Sequence, residues 1–197
     1  YRRFAKSICT SMNNVVCHGI PLATDVLQDG DIVNVDITVI LNGWHGDTSR
    51  TFMIGKADPD VKKLVERTYE AMWRGIEAVK PGQKLSVIGE VIEKYIKPFG
   101  YAIVEDYGGH GIGREFHEDP HIYHFATNSK QKMKSGMTFT IEPMINMGGS
   151  AKVNTSEVDG WTVTTNDNKP SAQYEHTVAV TDDGYEVLTL SKYESRK

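Results

Sequence analysis

At 197 residues, 39% of them hydrophobic and 24% charged, the chain has the size of one globular domain with enough length for a large core. A net charge of −4 with scattered lysines and arginines excludes a basic nucleic-acid footprint, and no apolar run approaches the length of a membrane span. Only Cys9 and Cys17 occur, too few for a secreted disulfide scaffold, so a reduced, cytoplasmic protein is expected.

Residues 1–20, YRRFAKSICTSMNNVVCHGI, read as extended chain folded into a hairpin at Asn13-Asn14. Cys17 and His18 are neighbours in that extended segment. They should face opposite ways, which argues against a thiol–base dyad.

Residues 30–55, GDIVNVDITVILNGWHGDTSRTFMIG, carry the strongest pattern in the chain. Val33, Val35, Ile37, Val39 and Leu41 alternate with Asn34, Asp36 and Thr38, which is the period of a strand with one apolar and one polar face. Asn42-Gly43 tolerates positive φ and closes a hairpin, and on the return strand Asp47, Ser49 and Thr51 share a face. Asp36 and Asp47 can therefore enter one pit. For a lone acid the plainer reading is a solvated strand end paired with Arg50 or a lysine.

Asp58-Pro59 starts a helix, with an N-cap acid before a first-turn proline, and Val61, Leu64, Val65, Thr68, Met72, Ile76 and Val79 continue it at helical spacing to Pro81-Gly82. A second amphipathic helix carries Leu85, Ile88, Val91, Ile92, Tyr95, Ile96 and Phe99 and stops at Pro98 and Gly100. Both stripes, with Trp73, read as core. From Tyr101 to Gly113 a strand runs into YGGHGIG, whose glycines allow close backbone approach around His110. Residues 118–135, EDPHIYHFATNSKQKMKS, read as a surface connection with solvated His121 and His124.

After Ser135-Gly136, the strand MTFTIEPMI places Thr138, Thr140 and Glu142 on one face. DGWTVTT follows a glycine- and asparagine-rich loop. AQYEHTVAVT then places Gln173, Glu175 and Thr177 together, ahead of a turn at Asp183-Gly184. Residues 135–181 thus echo residues 29–54: turn, glycine, strand with an acid, connection, second strand with an acid. Closing the two halves on each other would bring Asp36, Asp47, Glu142 and Glu175 to their interface. Two like charges about 4 Å apart repel by roughly 4 kcal/mol at an effective dielectric near 20, so four bare carboxylates cannot all stay ionised. Two divalent cations would neutralise them. With His110 as a nitrogen donor the set is too oxygen-rich for structural zinc and suits a hydrolytic metal pair.

In order and over nearly the whole chain, CHGIP, DIVNVDITV, HGDTSRTF, GHGIG with FHEDP, FTIEPM, DGWTV and AQYEHT resemble the successive motifs of the type I methionine aminopeptidases. The resemblance implies the α/β (α+β) pita-bread fold, two pseudo-symmetric halves of antiparallel sheet and helix with a dinuclear metal site between them. It implies a single metallo-aminopeptidase domain over residues 1–197, with the N-terminal helical segment of the family domain missing. The implied activity is removal of the initiator methionine from nascent polypeptides, with a small second residue preferred, through a metal-bridging water or hydroxide.

Carried over by position, Asp36, Asp47, His110, Glu142 and Glu175 are the implied metal ligands, with Asp47 and Glu175 bridging. His117 is implied to contact the scissile amide, His18 to position the substrate, and Glu142 to shuttle a proton. Tyr1, Phe4, Cys9, His18, Phe116, His117 and Trp161 are the implied substrate-binding residues. Position 4 is often tyrosine in the family, which removes any hydroxyl contact from Phe4. Thr38 is expected behind the ligands, and His45 and His176 are expected to face away from Asp47 and Glu175 in structural roles. The implied cofactors are two divalent ions among Co, Mn, Fe, Zn and Ni, with an implied monovalent cation near Asn13, Val15 and Ser171. Expected partners are nascent chains and, transiently, the ribosome, with no specific nucleic acid, no membrane and a monomeric state. Two rival readings are an inactive pita-bread module that binds protein or RNA, and a proline-directed relative such as aminopeptidase P or prolidase.

Overall fold

The structure, a computed structural model, describes residues 4–194. In chain order its elements open with strands β1 (Cys9–Met12), β2 (Val15–Cys17), β3 (Ile32–Leu41) and β4 (Trp44–Met53). Helices α1 (Pro59–Glu77) and α2 (Ser86–Ile96) follow, then β5 (Ala102–Ile103), β6 (Gly109–Gly111) and β7 (Glu118–Ile122). The remaining strands are β8 (Thr138–Ile141), β9 (Met144–Asn146), β10 (Val153–Thr155), β11 (Val163–Thr165), β12 (Ser171–Val180) and β13 (Tyr185–Val187).

The main sheet is antiparallel and runs β1-β3-β4-β12-β8-β6-β7, while β10, β11 and β2 form a small second sheet. Strand β12 joins the two halves. One edge takes β4 through Tyr174, Glu175 and His176, and the other takes β8 and β9. This is the mixed, two-halved α/β architecture expected, with β3–β4 in one half and β8, β9 and β12 in the other.

Local chemistry accounts for the elements. The β3–β4 turn places Asn42 at φ 52° and Gly43 at φ 78°, the left-handed pair that matches strand twist. The Asp58 carboxylate accepts the Asp60 N–H at 2.8 Å at the start of α1, satisfying an amide that has no partner in the helix. Leu64, Met72 and Ile76 of α1 and Ile88, Ile92 and Ile96 of α2 are fully buried with Phe139, Ile141 and Val178 of the sheet, so the helices cover one face and leave the other to the site.

Two expectations change. The first turn does fall at Asn13-Asn14, but its arms separate: β1 pairs with β3, and β2 pairs with β11. Residues 118–135 are not wholly a surface connection, because they contain β7, and the chain beyond it packs on α2. Gly89 makes that packing possible: a side chain there would meet the Phe125 carbonyl at 2.1 Å.

Candidate metal centre

The register sets the polar face. On β3 and β4, Asp36 lies opposite Ser49 and Thr38 opposite Asp47, while Glu175 of β12 lies on the other side of Ser49. Residues opposite one another share a face, so Asp36, Asp47 and Glu175 project to the same side of three adjacent strands. Threonine hydroxyls stitch those strands together. Thr51 donates to the Gln173 carbonyl at 2.7 Å, Thr48 to the Glu175 carbonyl at 2.8 Å, and Thr177 to the Asp47 carbonyl at 2.8 Å. Across β12, Thr177 faces Thr140, and Glu142 follows at the end of β8.

The acids converge with His110. Donor atoms of Asp47, His110 and Glu175 lie within 4.8 Å of one another, and His110 Nε2 is 3.7 Å from both Asp47 Oδ2 and Glu142 Oε1. Thr38 donates to Asp47 Oδ1 at 2.8 Å. Thr140 donates to Glu142 Oε1 at 2.6 Å while accepting the His110 N–H at 3.0 Å. Gln173 Nε2 donates to Glu142 Oε2 at 3.2 Å. Each carboxylate thus keeps only part of its lone-pair capacity occupied.

Burial, followed by the Asp47 charge, pushes Asp36 up to about 8, and burial lifts Asp47 to about 6 against the Thr38 hydrogen bond. Glu142 and Glu175 are held well above the carboxylate range, first by burial and then by the neighbouring acids. Burial lowers His110, so the imidazole is neutral and ready to donate a lone pair. Among the described residues no lysine or arginine forms an ion pair with any of the four acids. Two buried acids, Asp47 and Glu175, two half-buried ones, Asp36 and Glu142, and a neutral imidazole, with no lysine or arginine among the described residues paired to them, fit an external divalent cation.

The centre opens into a cavity of about 720 Å³ lined by Asp36, Asp47, His110, Glu142 and Glu175, and also by Phe4, Cys9, His18, Phe116, His117 and Trp161. Tyr1 lies outside the described residues. One aromatic wall is Phe4 edge-on to Trp161 at 5.2 Å, with His18 edge-on to Tyr107 and Trp161. The other is the His110 and His117 rings at 3.9 Å with Phe116 against both. The expected monovalent-cation residues lie away from the cavity lining: Ser171 N–H donates to the Asn13 carbonyl at 2.9 Å, and Val15 pairs with Thr164.

Four sequence expectations need correction. His45 is two residues from Asp47, so it shares that face. It lines the cavity and stacks on Phe116 at 5.9 Å. His176, one residue from Glu175, does face the other way, edge-on to Trp73. Cys17 and His18 both line the cavity because His18 adopts φ 57° and breaks the alternation. What disqualifies the thiols is their state: burial pushes Cys9 up to about 12 and Cys17 well above its usual range. His121 is exposed, as expected, but it lies on strand β7 rather than in a connection and borders the cavity.

His124 is the fourth correction, because it is buried rather than solvated. Its Nε2 accepts the Glu142 main-chain N–H at 3.1 Å, its Nδ1 has no partner, and burial drives its pKa down to about 3. A buried unpaired N–H costs about 1–3 kcal/mol. The parity of His45 with Asp47 was available in the sequence, whereas nothing local marked His124 or the Gln173 bond to Glu142.

The model of metallopeptidase family M24 matches residues 1–182. Methionine aminopeptidase of Rickettsia prowazekii is 53% identical over 192 residues, 97% of this chain and 73% of that protein. The Escherichia coli K12 methionine aminopeptidase is 49% identical over 193 residues, 98% of this chain and 72% of that one. The crystal structure of the Rickettsia prowazekii enzyme superposes with a TM-score of 0.93, covering 96% of this chain and 76% of the other.

Proposed function

The chain belongs to metallopeptidase family M24, in its methionine aminopeptidase branch with the pita-bread fold, and from that premise we propose how its cavity removes an N-terminal methionine. The activity is that of a metallo-aminopeptidase acting on polypeptides that begin with methionine, with a divalent metal cofactor. The observation that carries the finer reading is the convergence of four buried or half-buried acids with one neutral histidine, which no lysine or arginine among the described residues pairs with.

In this reading Asp36, Asp47, His110, Glu142 and Glu175 would hold a pair of divalent ions. Co, Mn, Fe, Zn and Ni all suit such oxygen-rich donors, and availability selects among them. When bound, the ions make a water acidic enough to attack at neutral pH and polarise the scissile carbonyl.

The remaining work belongs to the chain. Glu142 takes and returns the proton: Thr140 and Gln173 fix its two oxygens at the cavity, and burial raises its pKa above the ordinary carboxylate range. His117, beside His110 at the cavity, donates to the scissile amide and to the oxygen of the tetrahedral intermediate. His18 orients the substrate from the opposite wall, and burial keeps its ring neutral. Phe4, Cys9, Phe116 and Trp161, with Tyr1, receive the methionine side chain, since a thioether packs well against aromatic edges. A small second residue is preferred. Asn13, Val15 and Ser171 hold a monovalent cation.

We further propose that residues 1–197 act as one catalytic domain, as a monomer in the cytoplasm that meets nascent chains near the ribosome. Among the described residues no helix is long and apolar enough to cross a membrane. The test is release of methionine from Met-Ala-Ser with Mn, Fe, Co or Zn supplied, beside an Xaa-Pro substrate. Cleavage of the first alone is expected. Cleavage of the second instead would move the chain to the proline-directed relatives, and cleavage of neither would favour a binding module.

A further inference from the structure

The main chain of residues 138–146 runs along β12 in a single register, with Thr140 opposite Thr177 and Met144 opposite Gln173, interrupted at Glu142-Pro143. On the edge away from β12, the Thr138 carbonyl takes the Ile112 N–H at 3.2 Å and the Met144 carbonyl takes the Val104 N–H at 3.0 Å. Strand β6 pairs Gly111 with Phe139, but past that pair no described residue of β5 or β6 is paired with Ile141 or Glu142, and the Glu142 N–H would be left without a backbone acceptor. His124 Nε2 occupies that place at 3.1 Å.

An imidazole nitrogen that accepts a hydrogen bond carries no proton, so the proton sits on Nδ1, which is buried without a partner. The fold therefore tolerates an unsatisfied donor at His124 while serving the Glu142 amide. Helix α2 holds the segment in place. Gly89 lets residues 123–125 approach its backbone, and the Glu93 carboxylate accepts the Ala126 N–H at 2.8 Å.

We propose that His124 is a positioning residue for Glu142. Its Nε2 stands in for the absent strand acceptor and sets the height and tilt of the Glu142 carboxylate toward the ions. The proposal rests on the metal-centre reading above. Groups that back a metal-binding side chain typically change affinity or activity about 10–100-fold when removed.

The test compares the unaltered chain with His124→Leu, which fills the space without an acceptor, and His124→Gln, whose side-chain oxygen reaches the position of Nε2. Mn²⁺ binding by calorimetry, kcat and KM on Met-Ala-Ser, and thermal unfolding are measured for each. His124→Leu is expected to bind the ion about 10–100-fold more weakly and to lose kcat with KM little changed. His124→Gln should return to within a few-fold of the unaltered chain. Leu and Gln variants that behave alike, whether both active or both impaired, overturn the proposal.

If His124→Leu does not fold, ¹⁵N-histidine spectra of the unaltered chain decide: protonated Nδ1 with bare Nε2 supports the assignment, and the opposite tautomer overturns it. An unaltered chain that binds no Mn²⁺ defeats the metal-centre reading itself, and the positioning role falls with it.

Discussion

The two acid pairs reach the same cavity by different routes. Asp36 and Asp47 come from one continuous hairpin whose turn, register and twist are local. Asp47 is supported from nine residues away by Thr38. Glu142 and Glu175 come from strands separated by a long loop, and Glu142 depends on His124 18 residues away and on Gln173 31 residues away. The hairpin half supplies charge in a preformed register. The C-terminal half supplies charge that is held in place from several directions. Local patterning can deliver an acid to a site, whereas Glu142 is fixed by partners that only the folded chain brings to it.

The largest expected effect tests whether the halves meet at a common centre. Asp47→Ala and Glu175→Ala each remove a proposed ligand, one from each half. Both should reduce turnover by more than the roughly 10–100-fold that loss of a group behind a ligand costs. Normal turnover in either variant would contradict the assignment and leave one half without a role.

The second effect concerns pH. The raised pKa values mean that the folded, metal-free chain keeps protons that the unfolded chain has released. That stability is present below the ordinary carboxylate range and is lost as pH rises toward about 8, the value for Asp36. His124 acts oppositely: its pKa is lowered from 6.5 to about 3, so its contribution is lost as pH falls through that window. Above pH 6.5 only the acids remain, and the melting temperature of metal-free protein should fall toward pH 8, by about 2–4 °C per kcal/mol for a chain of this size. Saturating Mn²⁺ should flatten or reverse the slope, because ligands bind the ion deprotonated. A metal-free melting curve that rises over this range would mean the pit is not an uncompensated cluster of acids.

The same contrast explains what the sequence made legible. Alternation from Ile32 to Leu41 and the Asn42-Gly43 turn predict the hairpin because strand period and turn chemistry are properties of adjacent residues. The Asp58-Pro59 helix start is equally local. His124 was not legible because its burial is created by α2 packing through Gly89, and the alternation it continues from Pro120 and Ile122 is too short and too polar to mark a buried face. The inward turn of His18 depends on one positive φ, which composition alone does not mark. Cavity residues from loops are therefore the ones that physical pattern reading misses.

A smaller pair of variants sharpens the division within the supports. Thr38→Val removes the hydroxyl from Asp47 without changing shape, and Gln173→Leu removes the amide from Glu142. Each is expected to weaken metal binding by about 10-fold, the lower end for such groups. Calorimetry that finds Thr38→Val more damaging than Asp47→Ala would invert the hierarchy between ligand and support.

The smallest effects lie at the hairpin tip, where the strands leave the body of the protein. Ile40 is 66% exposed and Leu41 73% exposed, so lysine at either should alter stability by no more than about 0.5 kcal/mol. The two differ only in parity. Ile40 shares its face with Asp36 and Thr38 and lines the cavity mouth, whereas Leu41 points to the opposite side. Ile40→Lys should therefore raise KM for Met-Ala-Ser several-fold with kcat unchanged, while Leu41→Lys leaves both constants alone. Equal behaviour of the two variants would show that the tip lies outside the substrate path, and would confine the contribution of the hairpin to its two acids.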